Sequence, residues 1–189
     1  MNVSNAYSIL WGLFLVLWLI GSMRTKQTQE RAPFGLRLSY QGPLIIGALL
    51  MVTDNLPFGQ LYWHFIPRNP NIEIFALAIS IAGFAFAIWA RFYIGQNWSS
   101  AVTIKVGHEL IRSGPYHWVR HPIYSGILLA LFGMALARGK VVGLIAIFFF
   151  WLGFRIKSGI EEQFMRRTFG EEYIQYSRST GALIPKFRT

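Results

Sequence analysis

The sequence of 189 residues contains no cysteine. Disulfides, a cysteine nucleophile, thiolate zinc and cysteine-bound iron–sulfur clusters are excluded with it. Charge is also scarce, at 14 % of residues, against roughly 25 % in an average soluble domain. Acid is scarcest of all: 8 Asp+Glu face 18 Lys+Arg, and Asp54 is the only aspartate. Several familiar signatures are missing too. No Gly-x-Gly-x-x-Gly follows a strand, and no His-Glu-x-x-His occurs. Ser125 lies in Tyr-Ser-Gly rather than Gly-x-Ser-x-Gly. The stretch from Gly133 to Gly139-Lys140 lacks the Ser or Thr of a phosphate loop. His117 and His121 have the i, i+4 spacing of a zinc pair, but few further ligands exist to complete a site, and no metal is expected.

What is abundant is apolar. Hydrophobic residues make up 53 % and aromatics 16 % of the chain, with a mean hydropathy of +0.39. This argues against both a soluble globular domain and disorder. A net charge of +10 would suggest nucleic acid for a soluble protein. For a membrane protein it speaks first to orientation, and no nucleic-acid partner is expected.

Five apolar runs are readable, near residues 6–22, 38–52, 72–94, 123–137 and 141–154. No basic region precedes the first, so it reads as a membrane helix rather than a signal peptide. Pro43 interrupts the second. The last two, at about 15 residues and ~1.5 Å each, reach roughly 22 Å of a ~30 Å hydrocarbon core. Arg138, Lys140 and Arg155 are placed to snorkel across the difference. The competing reading makes these two runs buried helices of a soluble protein. The expected fold is an all-α integral membrane protein with about five spans, a C-terminal helical hairpin and polar cytoplasmic segments. Residues 1–71 form an N-terminal pair of spans and residues 72–189 a catalytic region. Pro57, Gly59 and Asn69-Pro70 mark an irregular outer loop, with Trp63 and His64 as interface residues.

Basic residues set the direction. Arg24, Lys26, Arg31 and Arg37 follow the first run. Arg91, Lys105, Arg112 and Arg120 fall at or after the third. Arg155, Lys157, Arg166, Arg167, Arg178, Lys186 and Arg188 follow the fifth. The opposite side has Arg68, Arg138 and Lys140. The positive-inside rule places the N-terminus outside and the C-terminus, with both long polar segments, in the cytoplasm.

Polar residues that suit chemistry concentrate in two places. Three of the four histidines lie in residues 107–126. There Ser113-Gly114-Pro115 reads as a tight turn and Pro122 as the first turn of a helix. If the stretch is helical, Tyr116 meets Arg120 and Arg120 meets Tyr124 at i, i+4. Arg112 and Trp118 suit an interfacial belt. His108, His121 and Tyr124 sit at a helix entrance near the bilayer, where polar groups are costly unless paired or used. The second concentration is Arg155, Lys157, Glu161 and Glu162, then Phe169-Gly170-Glu171-Glu172-Tyr173 and Tyr176. Lys157 and Glu161 alone would read as a surface ion pair. Arg166, Arg167, Glu171 and Glu172 read as a solvated helix face.

The ordered set His108-x-Leu110-x-x-x-Gly114-x-Tyr116-x-x-x-Arg120-His121-Pro122-x-Tyr124, a hairpin, Glu161-Glu162, and Phe169-Gly170-Glu-Glu-Tyr173 resembles the isoprenylcysteine carboxyl methyltransferases. It is also similar to their relatives, the phospholipid N-methyltransferases. The resemblance covers about residues 72–189. It implies S-adenosylmethionine as methyl donor, leaving as S-adenosylhomocysteine, and a lipophilic acceptor entering from the bilayer among membrane lipids. It implies that His108, Glu109, Leu110 and Ile111 line the donor pocket. Tyr116, Arg120, His121, Pro122, Ile123, Tyr124 and Glu162 would hold the donor, and Glu161 would pair with its amino group. Tyr124 or Phe154 would face the sulfonium. The family's arginine for a substrate carboxylate falls one turn before that glutamate. Here the position is Lys157, with Arg155 two residues earlier, so Lys157, Arg155 and Glu161 are the candidates for the chemistry. The family glutamine upstream is missing, and Ala101 is nearest in spacing. Carboxylate and amine acceptors both remain open. Membrane steroid reductases, which use NADPH, share a His-Pro-x-Tyr arrangement, but they typically have Asn where this chain has Ile123. A non-catalytic membrane scaffold is the third alternative.

Overall fold

The computed structural model describes residues 3–23, 25–53 and 59–186. Arg24, Asp54, Pro57 and Arg188 lie outside the described residues. Each apolar run becomes a helix: α1 (Val3–Ser22), α2 (Phe34–Val52), α3 (Pro70–Ile94), α5 (Pro122–Arg138) and α6 (Val141–Phe169). A one-turn α4 (Pro115–Trp118) precedes α5, and α7 (Glu171–Ser179) follows α6. Among the described residues four helices are long and apolar enough to cross a membrane, and α5 is a shorter apolar helix.

Two boundaries differ from expectation. Pro43 lies within α2 and does not divide it. A proline removes one ladder hydrogen bond, and neighbouring helices tolerate this in membrane segments. The fifth run does not end at residue 154. Its 29-residue helix continues through the polar residues to Phe169, because neither Pro nor a positive-φ Gly interrupts the chain before Gly170. The helix is therefore about 44 Å long, and its last turns carry polar side chains beyond the apolar run.

The fold also has a small sheet that the sequence did not announce. Strands β1 (Thr28–Arg31) and β2 (Thr103–Lys105) pair antiparallel, joining the loop after α1 to the segment before His108. Flanking bonds extend the contact: Lys26 N–H donates to Gln96 O at 2.9 Å and Val106 N–H to Gln27 O at 3.0 Å.

Helices in lipid gain little from apolar burial against each other, so close approach depends on small residues. The α3–α5 seam shows this. A Cβ on Gly83 would stand 2.6 Å from Gly126 O, and one on Gly126 would stand 2.6 Å from Ala87 N. Ser80 Oγ crosses the seam to donate to Ala130 O at 2.9 Å. On the other side, Gly47 of α2 meets Ala146 and Phe150 of α6, while Gly153 of α6 meets Leu44 and Tyr40 of α2. Both pairs are thus antiparallel.

Two arginines tie helix ends together. Arg91, 1 % exposed, donates to Gly21 O at the end of α1 and, at 3.1 Å, to Gly95 O at the end of α3. Its guanidinium lies 4.1 Å from the Trp98 ring centroid. Arg138 donates to Met51 O of α2 at 2.7 Å at the opposite end of the bundle. Neither α1 nor α2 has a basic residue in its own last turn, so a neighbour supplies the positive charge that their carbonyl ends favour. We expect Arg91→Met to lower stability by about 2 kcal/mol, read as a fall in Tm in detergent. An unchanged Tm would remove this role.

Candidate functional site

The end of the bundle that carries Arg91 and the sheet also gathers the chemistry-bearing residues. Gly114, with φ +57°, permits the turn, and a Cβ there would lie 2.7 Å from the Tyr93 ring. Pro115 then starts α4, which lasts one turn, and Val119 is extended at φ −143°, ψ 150°. The expected helical pairs Tyr116–Arg120 and Arg120–Tyr124 therefore do not form, nor do His117 and His121 share a helix face. Extended backbone instead carries Arg120 and His121 toward α6, and Pro122 opens α5.

These residues enclose a cavity of about 240 Å³. Its wall includes His108, Glu109, Leu110, Ile111, Tyr116, Arg120, His121, Pro122, Ile123, Tyr124, Phe154, Lys157 and Glu161. The sequence singled out each of them. Glu162 and Arg155 do not line it. Glu162 stands behind the wall as the partner of Arg120. Arg155 is exposed, because two residues along a helix turn it about 200° from Lys157. Ala101 does line the cavity.

At the polar end His121 lies between two carboxylates: Nδ1 is 3.3 Å from Glu161 Oε2, and Nε2 is 3.3 Å from Glu162 Oε1. Tyr124 donates its hydroxyl to Glu161 Oε1 at 2.6 Å. Arg120 grips Glu162 Oε1 through Nε at 3.0 Å and Nη2 at 2.6 Å. Burial alone would pull the His121 imidazolium down, but the hydrogen bonds and charges of Glu161 and Glu162 outweigh it and raise its pKa. With both ring nitrogens facing carboxylates, the doubly protonated form is the one that satisfies them.

His108 is the opposite case. Burial lowers its pKa, and the nearby Lys26 and Lys105 lower it further against a smaller effect of Glu109. Its Nδ1 accepts from Lys105 N–H at 3.4 Å, so the neutral ring presents Nε2–H as its remaining donor.

Aromatic rings continue from the polar end into the apolar one. His121 stacks on Tyr124 at 5.5 Å and Tyr124 on Phe154 at 4.7 Å, with interplanar angles of 6° and 10°. Trp18 of α1 and Ile127 of α5 complete the apolar wall. Lys157 also lines the cavity, at 8 % exposure, far from the surface ion pair its spacing allowed. Its Nζ donates to Ser100 O at 2.8 Å and lies 5.2 Å from the Tyr124 ring centroid.

Other wall residues carried no sequence signal. Asn97 Oδ1 and Thr103 Oγ1 are buried there without a hydrogen-bond partner among the described residues. Leaving such groups unmet costs about 1–3 kcal/mol each, which points to a polar ligand that completes them. Isolated Asn and Thr in a loop form no pattern, so only the folded chain reveals them.

The family model described as "Phospholipid methyltransferase" matches residues 72–172, just over half the chain. The chain belongs to the phospholipid methyltransferase family. Protein-S-isoprenylcysteine O-methyltransferase of Saccharomyces cerevisiae is 33 % identical over 94 residues, which is 48 % of this chain and 39 % of that protein. The Rattus norvegicus protein of the same name is 27 % identical over 129 residues, covering 67 % of this chain and 45 % of its own. Protein-S-isoprenylcysteine O-methyltransferase B of Arabidopsis thaliana is 25 % identical over 149 residues, 77 % and 73 % of the two chains. The chain thus spans less than half the length of the first two relatives. The segment of this family member that matches the model holds most of the cavity wall, from Ile94 to Met165, while Trp18 and the α7 tyrosines lie outside it.

Proposed function

We propose that the protein is an S-adenosylmethionine-dependent methyltransferase of the membrane, acting on the carboxylate of an isoprenylcysteine-like or other lipophilic acid. The observation that carries this reading is one cavity whose wall combines the charged Glu161 and His121, the apolar Trp18, Ile127 and Phe154, and the buried Lys157. A water-soluble donor and an acceptor with a lipid tail need such a meeting place. The family match and the names of the relatives point the same way. By the positive-inside rule the cavity faces the cytoplasm and the N-terminus lies outside.

S-adenosylmethionine, when bound, supplies a methyl group made electrophilic by its sulfonium. The residues around it have the tasks of holding and aligning. Glu161 accepts from Tyr124 and faces His121, and a carboxylate still has acceptor sites left for an ammonium group. Asn97 Oδ1 and Thr103 Oγ1 offer unmet polar atoms to the rest of the donor. The faces of Tyr124 and Phe154 suit a neighbouring positive sulfur. Lys157 spends one N–H on Ser100 O and keeps two for an acceptor carboxylate. That carboxylate is ionised at pH 7 and is itself the nucleophile, so no residue has to remove a proton. Closure by aromatic walls keeps water away from the reacting pair.

A phospholipid amine is the second acceptor class, favoured by the description of the family model. An amine must shed its proton before attack, and a buried ammonium at Lys157 repels its charged form. Lys157→Met distinguishes the two. With N-acetyl-S-farnesylcysteine as acceptor, we expect KM to rise about tenfold, one lost charged hydrogen bond, while affinity for S-adenosylhomocysteine changes less than twofold. A selective loss of donor affinity would reverse the assignment. Calorimetric titration of the purified protein with S-adenosylhomocysteine and, separately, with NADPH tests the reaction class. Heat from the first alone supports methyl transfer. Heat from NADPH alone supports the reductase alternative and overturns this reading.

A further inference from the structure

Arg120 and His121, at the polar end of the cavity, are bonded by a segment beyond the matched region, which stops at residue 172. After α7 the chain turns at Thr180 and runs beside the extended backbone that precedes α5. Gly181 and Val119 form a parallel bridge. Arg120 N–H donates to Gly181 O at 2.8 Å and His121 N–H to Ala182 O at 3.0 Å. Ser125 Oγ donates to Leu183 O at 2.7 Å. The Arg120 guanidinium joins in: Nη1 donates to Ser177 O at 3.0 Å and to Thr180 O, while its other edge holds Glu162. Residues 119–121 belong neither to a helix nor to the sheet, so their N–H groups need outside acceptors. Two of these acceptors are carbonyls of this strap.

We propose that residues 177–183 are a working part of the site, a strap that holds Arg120 and His121 where they orient Glu162 and Glu161. Arg120 is then a positioning residue. One face of its fork reads the strap and the other fixes Glu162, a geometry that lysine does not reproduce. Gly181 is what permits the strap to turn, since a Cβ there would overlap the carbonyl oxygen of Ile184. What the glutamates hold rests on the donor reading above. The coupling between strap and His121 does not.

The groups facing His121 are Glu161 and Glu162 of α6, the Tyr124 ring of α5, the adjacent Arg120 and, through Arg120, Tyr173 of α7. Shifting the strap loosens the two carboxylates from the ring. The test uses Gly181→Val and the milder Ser125→Ala, which deletes the hydroxyl's bonds to Leu183 O and, at 3.2 Å, to His121 O; Ser125→Gly, which loses the same two bonds without a methyl group, is its companion. Nitrogen-15 NMR of histidine-labelled full-length protein in detergent, with His121→Gln to assign the signal, reads the imidazole titration without any donor. S-adenosylhomocysteine affinity is measured in parallel. We expect the His121 titration to move to lower pH by about half a unit or more in Gly181→Val, and by less in Ser125→Ala. Donor affinity should fall about tenfold and threefold respectively. Should Gly181→Val not fold, Ser125→Ala carries both readouts. An unmoved titration overturns the proposal, and so does a moved titration with unchanged donor affinity. A moved titration in a protein that binds no S-adenosylhomocysteine, even as wild type, upholds the coupling and defeats the donor reading.

Discussion

Glu161→Gln should reduce S-adenosylhomocysteine affinity at least about 100-fold, or about 2.7 kcal/mol, with the protein still folded and inserted. The substitution preserves shape, so the loss isolates charge. The carboxylate loses its attraction for a ligand ammonium. It also loses part of its own support, because an amide turned toward Tyr124 O–H and His121 N–H sets donor against donor at one of its two ends. A buried imidazolium deprived of a partner is costly, and breaking such pairs typically costs about 3–5 kcal/mol.

The same substitution has a pH signature. His121 has its pKa raised in the folded protein, so its contribution to stability is complete below its unfolded value, ~6.5, and is lost as pH rises through the folded one. Removing Glu161 brings the folded value down. Thermal melts across pH should show an alkaline-side loss that is smaller, and complete at lower pH, in the variant. Superimposable pH profiles, or undiminished donor binding, would take Glu161 out of the site.

Gly126→Leu should leave no monodisperse protein in detergent, judged by size-exclusion chromatography. The new side chain meets backbone on α3, with Ala87 N and Gly83 O each 2.6 Å from where its Cβ would stand. Ordinary overpacking costs about 1–3 kcal/mol because side chains give way. Here two main chains would have to part along a seam that includes Gly83, Ala87, Ala130 and Gly133. Gly12→Leu is the control, since no described residue comes within 4 Å of its Cβ position. If both variants elute alike, the seam does not hold the bundle.

Apolar runs were enough to locate the five apolar helices, because hydrophobic length is what a bilayer selects. It stopped short on α6, where the run turns polar while the helix goes on. The motif residues of 107–126 converge on the cavity as their order suggested. Helical spacing was a poor guide there, since α4 ends after one turn and the contacts of Arg120 reach across 42 and 60 positions to Glu162 and Thr180. Arg155 and Lys157 looked interchangeable as neighbours in a string. Angular position on a helix separates them, and Lys157 alone faces inward. Asn97, Thr103 and the strap were invisible for two reasons: the first two are isolated polar residues whose burial only the fold reveals, and the strap acquires its meaning from partners distant in sequence.

The short pairing of β1 with β2 bears on how such a protein is able to diverge. Residues 26–32 lie before the family-matching region, yet their backbone holds the loop that carries Asn97, Thr103 and His108. The first two helices are therefore no interchangeable membrane anchor. A chimera that takes residues 1–71 from one relative and the remainder from another inherits two halves of one hydrogen-bonded ladder. Its cavity wall would stay in register only where residues 27–32 and 102–106 come from the same parent, so the natural unit of exchange is a pair of distant segments and not a contiguous domain.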